Sequence, residues 1–246
     1  MPFYFNPLYM SNNSTLLLWF LPLLFAIFAQ IKVSSAFKKY SKVPNQRGMT
    51  GAQAAQFMLN EAGIHDVKIE HIKSMPGQFG QRRGAASLSD HFDPRSKTIR
   101  LSEGVYNSTS VAALGIAAHE AGHAVQYHQQ YAPIKARNAI LKPAQFGSTG
   151  GFYLAFFGIL FSMQPLIWIG IALFTCAVLF QLITLPVEFD ASRRAMRTLS
   201  DTGMLYGDEL KGARKVLSAA AMTYVAALAS SIGNLLRLLL MSSRRR

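Results

Sequence analysis

Apolar positions along this chain fall into long uncharged runs separated by stretches of ordinary mixed polarity. The first run, Leu16 to Ile31, has sixteen residues without a charge, about 24 Å of helix at ~1.5 Å per residue. Residues 1–15 carry no charged side chain, whereas Lys32, Lys38, Lys39, Lys42 and Arg47 follow the run. A cleavable signal peptide has the reverse order, and Ala26 and Ala29 are spaced A-x-x-A rather than A-x-A, so the run reads as an uncleaved anchor with its N-terminus outside. Phe146 to Val187 is uncharged for forty-two residues and is divided by the turn-forming stretch Ser162, Met163, Gln164, Pro165. It predicts a hairpin whose legs each cross a hydrocarbon core of about 30 Å, the first leg starting a few residues before Phe146, with Tyr153 and Trp168 as interface anchors. Its length disfavours the alternative, a buried hairpin of a soluble protein. The last run, Val216 to Met241, is interrupted by Ser218, Thr223, Ser230, Ser231, Asn234 and Arg237.

Between the first two runs the texture is that of a small α+β region. Thr50 and Gln53 have capping-box spacing ahead of AAQFMLNEAG, and Gly63 stands where a C-cap glycine would, so a short helix is expected here. Asp66 to Ile72 alternates apolar and polar residues as a strand does. A second strand, Thr98 to Leu101, follows the turn Asp93, Pro94, Arg95, Ser96. Ser108 to Ser110 offer N-caps for a helix from Val111 to about Gln129 that stops before Pro133.

Charge sets the orientation. Half of the residues are hydrophobic, only 15% are charged, and the net charge is +13. Fifteen Lys and Arg lie between residues 32 and 145, six between 186 and 215, and none at the turn around Gln164, which places both basic stretches on the cytoplasmic side. Crossing by the final run would put Arg244 to Arg246 outside. The charge rule thus favours a helix on the cytoplasmic domain or at the interface, although its Ala/Ser-rich face suits packing in a bilayer equally well. The basic residues are sorted by membrane side and lack interleaved aromatics, so no nucleic-acid partner is expected. Cys176 is the sole cysteine, which excludes an intrachain disulfide and a cysteine-based zinc site.

Within the predicted helix 111–129 stands His119, Glu120, Ala121, Gly122, His123, an HExxH motif. With six His and six Glu in the chain, its chance occurrence is roughly 0.4%. Histidines four apart share one helix face, so both imidazoles can meet one tetrahedral zinc while Glu120 points near the open position to take a proton from a zinc-activated water. The alternative is two histidines on a polar stripe. A metzincin would carry Gly and His where Gln126 and Gln129 stand, and His128 lies about 180° around the helix from His119, so neither supplies a third ligand. Distant carboxylates or His91 remain. Glu188 leads Asp190, Asp208 and Asp201 because it follows the hairpin directly and a hairpin returns its ends together; it would arrive on a new helix, with Ser192 one turn on and Asp190 available to a ligand histidine.

GIAAHEAGHAVQYHQQYAPIKAR, the apolar hairpin, LPVEFDASRRAM, KGARKVLSAAAMTYVAALAS and DHFDPRSKTIRLSEGVYNS together resemble the YugP-like family of neutral zinc metallopeptidases, membrane proteins of bacteria. The likeness covers nearly the whole chain. It implies that His119 and His123 are metal ligands, Glu120 the catalytic base and Glu188 the third ligand. More distantly the layout is similar to membrane peptidases of the CAAX-prenyl-protease and HtpX type, which have an acidic residue four after the glutamate ligand. Ser192 stands there in this chain, leaving Asp190 as the substitute that would orient the ligand histidine.

Lesser candidates are weighed against plainer roles. The strand Thr98 to Leu101 could pair with an extended substrate, though supporting the helix is the plainer role. Arg193 and Arg194 could stabilise an oxyanion, or simply set topology. His91 could touch substrate, or be a surface histidine. Arg82, Arg83 and Arg244 to Arg246 could meet anionic lipid.

The expectation is a mainly α membrane protein with a small α+β cytoplasmic zincin-like catalytic region and three to four transmembrane helices. Its parts are a membrane anchor (1–31), a cytoplasmic catalytic region with the HExxH helix (32–145), a transmembrane hairpin (146–187), and a third-ligand segment with a C-terminal apolar helix (188–246). The expected activity is zinc-dependent endopeptidase, with one Zn2+ per chain, acting on membrane-associated or unfolded proteins at a bacterial inner membrane. The rival is a zinc-containing scaffold or adaptor without turnover.

Overall fold

A computed structural model describes residues 12–72 and 90–243, with side chains from residue 20 onward. Arg82, Arg83 and Arg244 to Arg246, weighed above as lipid contacts, lie outside the described residues, as do residues 1–11. Among the described residues the chain is mainly helical with one three-stranded sheet. It separates into two compact units: residues 12–28, 135–185 and 224–243 among those described form the first, and residues 29–134 and 186–223 the second.

In the second unit, helix α2 (Gly51–Glu61) begins where Thr50 Oγ1 accepts from the Gln53 N–H and Gln53 Oε1 accepts from the Thr50 N–H. It ends ahead of Gly63, whose φ of +69° lies in the left-handed region that favours glycine. Strands β1 (Lys68–Ile72), β2 (His91–Asp93) and β3 (Thr98–Ser102) form a sheet in the order β1-β3-β2, with β1 parallel and β2 antiparallel to β3. The turn between β2 and β3 is held by Asp93, which accepts from the Arg95 N–H, the Ser96 hydroxyl and the Arg100 guanidinium. The sheet agrees with the plainer role expected of this strand: Thr98–Ser102 is central, with β1 on one side and β2 on the other. Supporting the helix is its role, with Ile99 and Leu101 fully buried in the unit's core.

Helices α3 (Glu103–Tyr106) and α4 (Val111–His128) follow. Ser110 caps α4 by accepting from the Ala113 N–H, as its place in the sequence predicts. Helix α4 is buried along most of its length by small residues, and Leu59, Leu114, Leu199, Met204 and Leu205 pack in the same core.

The first unit takes in α5 (Ala132–Phe146) from Lys135, a π-helical segment Gly147–Gly151 and α6 (Phe152–Leu160), which run on to a turn at Ser162, φ +58°, and then α7 (Gln164–Asp201) as far as Leu185, the rest of α7 belonging to the second unit. The expected turn is thus present. A Cβ placed on Gly158 would fall 2.7 Å from the Ile167 backbone nitrogen, so the two legs approach at a glycine. Ile159, Ile167, Ile171 and Phe174 pack between them.

Three helices among the described residues are long and apolar enough to cross a membrane: Phe20–Tyr40 of α1 (Asn12–Tyr40), α7 and α8 (Gly207–Ser243). Helix α1 exposes Phe20, Leu21, Leu24 and Ile31, and runs past the expected boundary at Ile31 to include Lys32, Lys38 and Lys39. Helix α7 has 38 residues, about 57 Å, nearly twice a bilayer core. It continues through Pro186, so Glu188 arrives on the same helix as the second hairpin leg and not on a new one. Its polar stretch begins at Glu188, beyond what one crossing requires.

Candidate metal centre

The HExxH spacing acts through helix α4, which stacks His119 and His123 one turn apart with ring centroids 4.7 Å from each other and planes at 83°. Both side chains are mostly buried, at 14% and 12% exposure, and the Glu188 side chain from α7 is at 4%. Glu188 Oε2 lies 3.3 Å from His119 Nε2 and 3.5 Å from His123 Nε2. Among the described residues these three donors form a group able to hold one metal ion, all within 4.8 Å of one another.

Close approach of the two helices makes this convergence possible. A Cβ on Gly122 would sit 2.7 Å from the carbonyl oxygen of Ala191, inside ordinary contact distance. Ala191 follows Glu188 by one helical turn, so a glycine between the two histidines lets the third donor reach them.

The ring nitrogens turned away from Glu188 have partners. Ser192 Oγ lies 3.1 Å from His119 Nδ1, and Gln126 Oε1 lies 3.0 Å from His123 Nδ1. The structure thus corrects the choice of Asp190 as the group that orients a ligand histidine. Ser192 fills that place at His119, while Asp190 accepts from Gln126 Nε2 at 2.9 Å and from Arg194 Nε at 2.6 Å. Arg194 is committed to Asp190 and to Gln129, and Arg193 is exposed. Asp201 pairs with Arg197 and Asp208 with Lys211 on the surface, and His91 is exposed on β2.

Glu120 is buried beside the cluster and accepts from the Phe92 backbone N–H at 3.0 Å. Strand β2 therefore hands a main-chain donor to Glu120, while the Phe92 ring packs on Tyr127 of α4. Asp90, just before β2, accepts from the Ser102 N–H and hydroxyl at the end of β3. Burial pushes the Asp90 carboxyl from an ordinary 3.8 up to about 6, against the pull of the Ser102 hydrogen bonds and with help from the Glu120 charge.

Because the folded pKa of Asp90 is raised, the folded state binds the extra proton between about pH 4 and 6, so this group's contribution to stability falls as pH rises through that window and is level above it. Its size is at most about 3 kcal/mol. Thermal unfolding of wild type and Asp90→Asn across pH 4 to 7 checks this: the wild-type curve loses stability relative to the variant as pH rises, and parallel curves would contradict the assignment.

Gln126 and the Phe92 N–H have no place in the motif reading of this site, Gly122 falls inside the motif without a role, and Ser192 is noted there one turn past Glu188 but passed over in favour of Asp190. Gln126 did carry a signal, since a polar residue three after His123 on a helix otherwise lined with small apolar residues needs a buried partner.

A family model described as "Putative neutral zinc metallopeptidase" matches residues 15–243, a range that takes in both helices of the cluster. The chain belongs to this zinc metallopeptidase family. It is 42% identical over 212 residues to "Putative membrane protease YugP" of Bacillus subtilis (strain 168), covering 86% of this chain and 89% of that one. No solved structure matches it. Zinc is the metal this family implies, and the donor chemistry fits. Two imidazole nitrogens and one carboxylate oxygen, bonded at about 2.0–2.2 Å in a tetrahedron, stand about 3.3–3.5 Å apart, which matches the separations of Glu188 Oε2 from the two Nε2 atoms. Among the described residues the group has three donors, one fewer than a tetrahedral zinc takes.

Proposed function

We propose that this zinc metallopeptidase family member is a membrane-bound endopeptidase whose zinc is held by His119, His123 and Glu188, with Glu120 as the general base. The observation that carries this reading is the convergence of both Nε2 atoms on Glu188 Oε2, with Glu120 buried next to His119 on the same helix. A zinc held there would supply polarisation of the scissile carbonyl and a water acidic near neutral pH. Glu120 would serve as the group that accepts a proton from the attacking water and returns it to the leaving amine nitrogen. The Phe92 N–H orients the buried carboxylate.

Chain position supports the choice of substrate. Glu188 follows the uncharged run 146–187 directly, and the histidines precede it, so the reading places the zinc near the bilayer surface, within reach of juxtamembrane or unfolded protein segments. The charge distribution supports a cytoplasmic catalytic region, and the Bacillus subtilis relative supports a bacterial membrane.

The test uses full-length protein in detergent. We expect about one zinc per chain, and hydrolysis of an unfolded protein substrate that stops with a chelator and returns with added zinc. Stoichiometric zinc without hydrolysis would favour the scaffold. Hydrolysis that persists after complete metal removal would overturn the metallopeptidase mechanism.

A further inference from the structure

Gln126 is fully buried on α4 and uses its whole amide. Its Nε2 donates to the Val187 carbonyl at 2.8 Å and to Asp190 Oδ2 at 2.9 Å, both on α7, and its Oε1 lies 3.0 Å from His123 Nδ1. A glutamine amide has two N–H donors and one carbonyl oxygen. A backbone carbonyl accepts only, and so does an ionised carboxylate, which Asp190 is beside Arg194 at 2.6 Å. The NH2 group must therefore face Val187 and Asp190, and the oxygen must face His123. The consequence for the histidine follows: Nδ1 carries a proton and donates it, so the neutral form of the ring that can bind a metal has its lone pair on Nε2, the nitrogen facing Glu188.

No such constraint acts on His119, because the Ser192 hydroxyl can donate or accept. The two imidazoles of the motif thus differ in how far the protein has prepared them.

We infer that Gln126 is a positioning residue that locks the metal-binding tautomer of His123 and, through Asp190 and the Val187 carbonyl, ties that histidine to the helix delivering Glu188. The inference rests on the zinc reading above and adds a residue to it. Arg194 completes the chain: it donates to Asp190 on its own helix and to Gln129 Oε1, at 2.6 Å, just past the end of α4. Second partners of ligand histidines commonly change metal affinity by about 10–100-fold.

The experiment compares full-length wild type, Gln126→Leu, Gln126→Glu and Ser192→Ala in detergent, with zinc affinity read by chelator competition. The cobalt-substituted proteins are examined by proton NMR for the exchangeable, paramagnetically shifted resonances of ligand Nδ1–H groups. Wild type should show two such resonances, one exchanging slowly because its acceptor is buried. Gln126→Leu should bind zinc about 10–100-fold more weakly and lose or speed the slow resonance. Gln126→Glu, which keeps an acceptor for the Nδ1–H but loses both donors to α7, should retain the resonance and lose less affinity than the leucine variant. Ser192→Ala should lose less than about 10-fold and leave the slow resonance in place.

If Gln126→Leu fails to fold, the glutamate variant decides: loss of its slow resonance would overturn the tautomer assignment. Wild type that binds zinc alongside a Gln126→Leu protein with unchanged affinity and both resonances would overturn this inference and leave the zinc reading standing. Wild type that takes up no zinc overturns both.

Discussion

Glu120→Gln is expected to slow peptide hydrolysis by about 10²–10⁴-fold while leaving zinc content unchanged. The substitution keeps the volume of the side chain and an oxygen able to accept the Phe92 N–H, so the local geometry has no reason to move. It removes the basic oxygen that receives the proton. Glu120 is outside the donor cluster of His119, His123 and Glu188, so metal retention and turnover should separate cleanly in this variant. The measurement is kcat on an unfolded substrate together with zinc per chain by elemental analysis. A variant as fast as wild type would show that another group is the base. Zinc lost along with activity would mean that Glu120 helps to hold the metal.

Gly122→Leu should have the second large effect, on assembly of the site as a whole. Even a methyl group at this position meets the Ala191 carbonyl oxygen at 2.7 Å, where ordinary contact begins near 3.4 Å. The neighbour is backbone in the middle of α7, so the strain cannot be relieved by swinging a side chain; one helix must back away from the other. Overpacking of this kind costs about 1–3 kcal/mol, and leucine, longer than alanine, belongs at the upper end. A retreat of several tenths of an ångström is also enough to spoil a metal site, which needs its donors held within about 0.5 Å. We expect a lower unfolding midpoint and weak zinc binding together. Gly122→Ala should show both effects in smaller measure, and a leucine variant with wild-type zinc affinity would show that α7 does not need this approach to deliver Glu188.

The contrast between Gly122 and Glu120 shows how unevenly the site could be read in one dimension. The motif declares Glu120, His119 and His123 because a helix repeats every 3.6 residues, and residues four apart share a face whatever surrounds them. Gly122 falls inside the same motif, yet its importance depends on Ala191, 69 positions later. Glu188 was reachable in part, since a hairpin returns its ends together. That argument pointed to a segment and not to an atom, and it left Asp190, Asp201 and Asp208 in competition. The structure sends Asp201 and Asp208 to surface lysine and arginine partners and Asp190 to Gln126 and Arg194.

The sheet shows the same limit. Alternating polarity located a strand from Asp66 to Ile72, and the turn at Asp93 to Ser96 located one from Thr98 to Leu101, but neither carried information on order within the sheet. Only pairing partners distinguish an edge from a centre, and β3 proves central. The three residues of β2, too few to announce themselves by alternation, supply the backbone donor to Glu120.

What the amino-acid order determined by itself is everything local: the capping box at Thr50, the glycine after α2, the cap at Ser110, the turn at Ser162, the long apolar helices, and two histidines on one helix face. These follow from dihedral preference, periodicity and the transfer cost of polar groups, which act between residues a few positions apart. Tertiary structure decided what local rules left open: that Glu188, the leading candidate, and not a neighbouring acid meets the histidines, which groups hold their far nitrogens, and which strand runs beside Glu120. Those choices depend on how closely α4 and α7 approach and on how every buried donor finds an acceptor, and both are set by packing among residues far apart in the chain.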